Sequence, residues 1–268
     1  MTHLDTATVV GHVAAIHRYP VKSMRGEGLD RAAVGPMGID GDRRFAVIDA
    51  ETGRVASAKN PKKWGALLGY RAVLRGGELV VIAPDGEELK GDPAGELSRR
   101  LGRRVTLAGV RATPGEIEID WPDVAGLSAL GTETVEPLPS GGYFDTAPLH
   151  LLTTATLARY RELVPGCDFD VRRFRPNLVI EPLPELGGFV EGGWVGRRVR
   201  IGDATLRITA PCTRCVMTTL PADGLPPDPC VLRAVVAHNS AAAGVLAEVV
   251  ATGQLAVGTP VLLGRVPF

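Results

Sequence analysis

The sequence predicts a β-rich α+β protein, with an N-terminal β-barrel-like domain and a second β-barrel that carries short helices. Frequent chain punctuation is the first reason: 33 glycines and 21 prolines in 268 residues separate short β-branched runs, the pattern of many strands joined by tight turns. Sparse helix signals are the second. Asp92-Pro93 and Asp228-Pro229 each set a capping carboxylate before a proline at the first helical position, and Thr153 is placed to cap a third helix. Length is the third, since about one domain per ~150 residues suggests two units. We divide them as residues 1–125 and 126–268.

Taken in order, Val9 to Tyr19 reads as a first strand that stops at Pro20. Arg43 to Asp49 and Arg54 to Ala58 flank Ala50-Glu51-Thr52-Gly53 as a hairpin, and Leu67 to Leu74 with Glu78 to Ile82 form another across Arg75-Gly76-Gly77. A short helix runs from Asp92-Pro93 to Gly102, followed by a strand from Arg104 to Leu107. Residues 112–142 hold Pro114, Pro122, Pro137 and Pro139 with an acidic excess, which reads as a connector or long surface loop. The second unit begins with a strand at Leu149 to Leu152 and a helix from Thr154 to Leu163. Strands follow at Pro176 to Ile180, Val195 to Ile201 and Ala204 to Thr209, then a helix to Ala237. Strands at Val245 to Val250 and Leu255 to Leu263 complete it.

Composition excludes several classes. Lys+Arg and Asp+Glu are both 30, so bulk electrostatics do not favour nucleic acid. No apolar run approaches the ~18 residues of a membrane span, and the first residues lack the basic and apolar regions of a secretory signal. Four cysteines in a chain of 268 residues do not make a disulfide scaffold, so a cytoplasmic, reducing setting is expected.

The chemistry concentrates at Pro211-Cys212-Thr213-Arg214-Cys215-Val216-Met217-Thr218-Thr219. A lone C-x-x-C has several readings. A structural zinc site needs more ligands than the scattered His and Cys residues offer. A thioredoxin-like redox pair needs a helix, for which Val216 to Thr219 before Pro221 leaves little room. Two thiols packed as small hydrophobes is the plain alternative. Cations recur at other strand ends: Lys22-Ser23 after Tyr19-Pro20-Val21, Arg43-Arg44 before Phe45, and Arg172-Arg173-Phe174-Arg175 before Pro176-Asn177. Adjacent arginines in a strand face opposite sides, so only one of Arg43 and Arg44 can join a given pocket. Each cluster alone can be a solvated edge; together they suit a shared anionic ligand.

These segments, with Phe144-Asp145-Thr146-Ala147-Pro148, Glu191-Gly192-Gly193-Trp194 and Ile201-Gly202-Asp203, resemble the molybdenum cofactor sulfurase C-terminal (MOSC) domain family. The resemblance spans nearly the whole chain and is closest to the branch of mitochondrial amidoxime-reducing components and their bacterial relatives. It implies a molybdenum cofactor (molybdopterin with Mo) whose metal is held by Cys215. Lys22, Ser23, Arg44, Thr146, Arg175, Asn177, Thr213 and Arg214 would bind the pterin and its phosphate. Cys212 would pack beside the site, and Asp145 would relay protons. The implied activity is reduction of N-hydroxylated or N-oxygenated small molecules. No ferredoxin-type Cys run lies in the sequence up to Phe268, so a separate electron-donor redox protein, ferredoxin- or cytochrome b5-like with a reductase, is expected. The alternative is a sulfur-carrier or cofactor-handling protein that uses Cys215.

Overall fold

Residues 7–110, 115–120, 133–137 and 141–264 are described by the computed structural model. They form a strand-rich molecule with a closed seven-stranded barrel and four short helices. The first strand, β1 (Thr8–Arg18), buries Val10, Val13 and Ile16 in the barrel core while His12 and Ala14 face outward. Its Gly11 lets the strands approach, because a Cβ there would lie 2.3 Å from the Glu181 carbonyl oxygen. β2 (Glu27–Leu29) folds back along β1, and β3 (Arg31–Gly35) forms a hairpin with β4 (Gly38–Ile39).

The following segment builds a second core. β5 (Phe45–Asp49) meets Arg54 to Ala56 in a short hairpin, with Asp49 N on Arg54 O at 2.9 Å and Ala56 N on Val47 O at 2.8 Å around the Ile48–Val55 bridge, and its longer pairing is with β8 (Val105–Gly109). Between them lie α1 (Pro61–Trp64), the hairpin of β6 (Arg71–Arg75) and β7 (Glu78–Ile82), and α2 (Pro93–Leu101). Leu67, expected to open the strand, sits in a 3-10 turn over Gly65–Gly69. The reading of α2 holds in detail: Asp92 accepts from Gly95 N, and Gly102 ends the helix at φ 64°. Val21, Met24, Val47, Trp64, Leu67 and Leu97 pack together beneath these elements.

Residues 112–142 are the main correction. Where no strands were expected, β9 (Glu116–Asp120) and β10 (Glu133–Pro137) pair antiparallel. The acidic run alternates with isoleucine, so Ile117 and Ile119 turn inward onto Ile48 and Val55. Glu118, also buried, is neutralised by Arg54 at 2.6 Å and Lys63 at 2.5 Å. The expected boundary near residue 125 lies outside the described residues.

The remaining elements complete the barrel. They are β11 (Leu149–Thr153), α3 (Thr154–Leu163), β12 (Leu178–Pro182), β13 (Arg198–Ile201), β14 (Ala204–Thr213), α4 (Pro229–Asn239), β15 (Ala242–Ala251), β16 (Gly253–Ala256) and β17 (Pro260–Leu263). The order β12-β11-β15-β14-β13-β17-β1 closes on itself through β12–β1 pairing, so the first strand seals a barrel otherwise made of residues after 148. The single strand expected over Leu255 to Leu263 is broken at Gly258 (φ 82°), which lets β16 pair with β3 and β17 pair with β1 and β13. Cys167 and Cys230 are joined as a disulfide with Cα atoms 5.6 Å apart, against the expectation of unpaired thiols. They are 63 residues apart, and only the docking of α4 beside α3 brings them together. Among the described residues no helix is long and apolar enough to cross a membrane.

Candidate functional site

β14 delivers the thiol segment. Its pairing with β15 shifts register between Pro211 and Thr213, where proline has no N–H to give the ladder. Arg214 N then bonds Ala241 O at 2.8 Å, and the chain enters a 3-10 turn over Val216–Thr219 that was not expected from its β-branched residues. Thr218 secures the turn: its N and Oγ1 donate to Cys215 O at 3.2 and 3.0 Å. The result is a half-buried free thiol at Cys215 facing a cavity of about 430 Å³.

One wall of this cavity is the end of the barrel. Asn177, 1% exposed, accepts from His150 N at 3.2 Å and donates to His17 O at 3.3 Å, tying β11 and β12 to the end of β1. His150 is buried, with Nε2 3.0 Å from Ala243 O, and burial together with Arg214 pushes its pKa down to about 3. Gly244, at φ 86°, makes the space: a Cβ there would lie 2.3 Å from His150 Nε2. Arg214 spans the same end, donating to Cys212 Sγ and Phe174 O, both at 2.8 Å, while its Nε is buried without a partner among the described residues.

The opposite wall is ionic. Lys22, 5% exposed, donates to Tyr143 O at 3.1 Å and closely pairs with Asp145; Lys59 lies 3.5 Å from the other Asp145 oxygen. Burial alone would raise the Asp145 pKa, but Lys22 and Lys59 overcome it and hold the carboxyl well below its usual range. Burial likewise opposes the Lys59 ammonium, yet Asp145 and Cys215 raise its pKa. Arg43 pairs with the buried Asp42 and reaches Asn177 Oδ1 at 3.3 Å. The guanidiniums of Arg43 and Arg175 lie 4.8 and 4.3 Å from the Tyr19 ring centroid, a double cation–π contact. Ser23, Arg43 and Arg175 all take left-handed backbone angles (φ 64°, 47° and 54°), which non-glycine residues adopt rarely and at a cost.

Of the candidates named from sequence, Asp145, Thr146, Arg175, Asn177, Thr213, Arg214 and Cys215 line this cavity. Lys22 stands behind it, paired with Asp145. Ser23 does not reach it: its Oγ accepts from Ala58 N at 3.0 Å and braces the loop that presents Lys59. Arg44 is exposed and does not line the cavity; its neighbour Arg43 does, from the turn before β5, where its φ is 47°. Cys212 is 7% exposed and serves as the Arg214 acceptor. Sequence reasoning missed Lys59 and His150. For Lys59 a signal existed, since Asn60-Pro61 repeats the cap-plus-proline pattern of Asp92-Pro93 and announces a turn there. Among the described residues no group of three or more His, Cys, Asp or Glu is placed to hold a metal by itself.

The MOSC domain model matches residues 140–262, and the MOSC N-terminal beta barrel domain model matches residues 10–116. The chain is 25% identical over 243 residues to mitochondrial amidoxime-reducing component 1 of Danio rerio, covering 82% of this chain and 72% of that protein. It is also 25% identical over 237 residues to the Homo sapiens protein of the same name, covering 80% and 67%. Among solved structures, the YUAD protein from Bacillus subtilis aligns at a TM-score of 0.46 and 10% identity, over 96% of this chain and 98% of that chain.

Proposed function

The chain belongs to the MOSC family, and we propose that it is a molybdenum-cofactor oxidoreductase reducing N-hydroxylated or N-oxygenated compounds with electrons from a separate redox protein. One observation carries this reading: the half-buried thiol of Cys215, one of two free thiols at the site, opens into a cavity lined by Arg43, Lys59 and Arg175. The donor set fits such a cofactor. A thiolate is a soft ligand for molybdenum, and the cations suit a phosphate through charge-assisted hydrogen bonds. The buried, unpaired Nε of Arg214 adds a donor that a bound ligand can satisfy.

The cofactor, when bound, supplies the two-electron redox chemistry. The chain's own residues do the rest. Cys215 would be the metal ligand, and Lys59 lines the same cavity. Arg43, Lys59 and Arg175 would hold the phosphate, while Asn177 and Thr213 would contact the pterin. Phe144, Phe174 and Met217 form apolar parts of the cavity wall that exclude water from the ligand. Asp145 is a counter-ion to Lys22 and Lys59; held ionised by them, it carries no proton to deliver at neutral pH. That replaces the relay role expected from the sequence, and the protons consumed in forming water come from solvent.

Metal analysis of protein from a host that makes the cofactor tests the reading. About one molybdenum per chain, lost in Cys215→Ala, supports it, as does benzamidoxime reduction with a chemical electron donor. Persulfide on Cys215 with no molybdenum would replace it with the sulfur-carrier function.

A further inference from the structure

A second cavity, of about 410 Å³, shares Arg175 and Met217 with the thiol cavity. Met217 lies on the 3-10 turn capped by Cys215, so the two cavities share a wall beside the thiol's own turn. Five arginines line the second cavity against two carboxylates, Glu27 and Asp223, leaving an excess of positive charge. Part of that charge serves the fold: Arg173 is fully committed to Asp168 and the Pro226 carbonyl at 2.9 Å. The rest is less engaged. Arg71 uses Nε on Gly26 O at 3.1 Å, and Arg172 is anchored by Asp170 at 2.7 Å while reaching the Asp223 carbonyl at 2.9 Å. Arg25 pairs with Asp223 through Nη1, but its Nε is buried with no hydrogen-bond partner among the described residues. Buried N–H groups are seldom left so, and the fork of a guanidinium matches the oxygens of a phosphate.

Asp223 itself shows how the cluster is kept in balance. Its φ of 52°, followed by Gly224 at 80°, turns the chain between Ala222 and Leu225 and brings a surface carboxylate onto Arg25, 3.9 Å from Arg172. The side chain stays 41% exposed, so the charge that covers the arginines is one that an incoming anion can displace.

We infer that this cavity is an anion subsite that takes a phosphate-class group, the remote end of a ligand whose other end reaches the thiol cavity past Met217. The subsite stands on the arginine geometry; its assignment to the substrate rests on the oxidoreductase reading above. Isothermal titration of the full chain with sodium pyrophosphate tests it, comparing wild type with Arg25→Gln/Arg71→Gln. Saturable binding is expected in wild type and is weakened about 10-fold or more in the double variant, the scale of losing charge-assisted bonds. Thermal unfolding and molybdenum content are expected to match wild type. Equal affinity in both proteins, or no saturable binding to wild type, overturns the proposal. Asp223→Asn keeps it testable should the double variant not fold: removing the competing carboxylate tightens pyrophosphate binding, and unchanged affinity counts against the subsite. Titrating cofactor-free and cofactor-loaded protein separates the sources of the anion. Binding that survives loading assigns the subsite to a substrate, and binding lost on loading assigns it to the cofactor's own phosphate. A chain that binds pyrophosphate but never acquires molybdenum retains the subsite and loses the oxidoreductase reading.

Discussion

The thiol cavity has two walls held by different forces. On the barrel side, Asn177, His150 and Cys212 are each at most 7% exposed and tied to backbone or to Arg214. On the opposite side, Arg43, Lys59 and Asp145 are partly solvated and meet chiefly through charge. The barrel wall is part of the packed interior, where losing a partner leaves a buried polar group unsatisfied. The more exposed pair of the ionic wall, Lys59 with Asp145, contributes little to folding, because solvated ion pairs are weak. Substitutions on the first wall are therefore expected to cost stability in addition to any ligand contact, and exposed ones on the second chiefly ligand affinity.

The largest effect tests the two cysteines at the cavity. Cys215→Ala is expected to drop molybdenum content and reductase activity to background, whereas Cys212→Ala, which disturbs only the support of Arg214, reduces activity about 10–100-fold. Metal analysis and kcat/KM on both variants decide it; equal losses would mean that the thiols act as a pair. Next comes the acid stability of the barrel wall. His150 titrates near 3 in the folded chain and at its ordinary value of 6.5 when unfolded, so the unfolded chain takes the proton first. The stabilisation from keeping it neutral is complete above pH 6.5 and is lost as pH falls toward 3, by roughly 5 kcal/mol in all. Urea titrations of wild type and His150→Asn across that window should show a shallower pH slope in the variant. Parallel slopes would show that the wall is wet.

Behind the same wall, the Cys167–Cys230 link ties the approach to Phe169 onto the start of α4. Its removal is expected to cost about 2–4 kcal/mol. Thermal melts with and without dithiothreitol check this, with wild type sensitive and Cys230→Ala indifferent. The smallest effect on folding is expected at Lys59→Met, which should weaken cofactor retention about 10-fold while changing stability by less than ~1 kcal/mol. A melting loss as large as that of a barrel-wall variant would erase the distinction between the walls.

Much of the local structure was legible in the chain. The α2 caps, the Gly76–Gly77 hairpin and the Thr153 cap all follow from short-range hydrogen bonds and backbone angles, and each is present. The acidic stretch at Glu116 misled because composition drew attention from its period-2 pattern, and its burial depends on Arg54 and Lys63, more than 50 residues away. At the site, Cys215, Arg175 and Asn177 were visible as chemistry-bearing residues, but Lys59 sits on an ordinary turn whose aim is set by Ser23 of another loop.

By itself the sequence determined a β-rich chain, its capped helices and hairpins, a thiol at a strand end and cations at several others, because all of these are properties of neighbouring residues. Only the tertiary structure decided that Arg43 and not Arg44 faces the cavity, that Asp145 is a counter-ion, that Cys167 meets Cys230, and that a second arginine cavity adjoins the first. The physical reason is closure of the barrel. Pairing β1 with β12 and β17 gathers loop ends from across the chain, and holds Ser23, Arg43 and Arg175 in left-handed angles that no local preference of those residues would select.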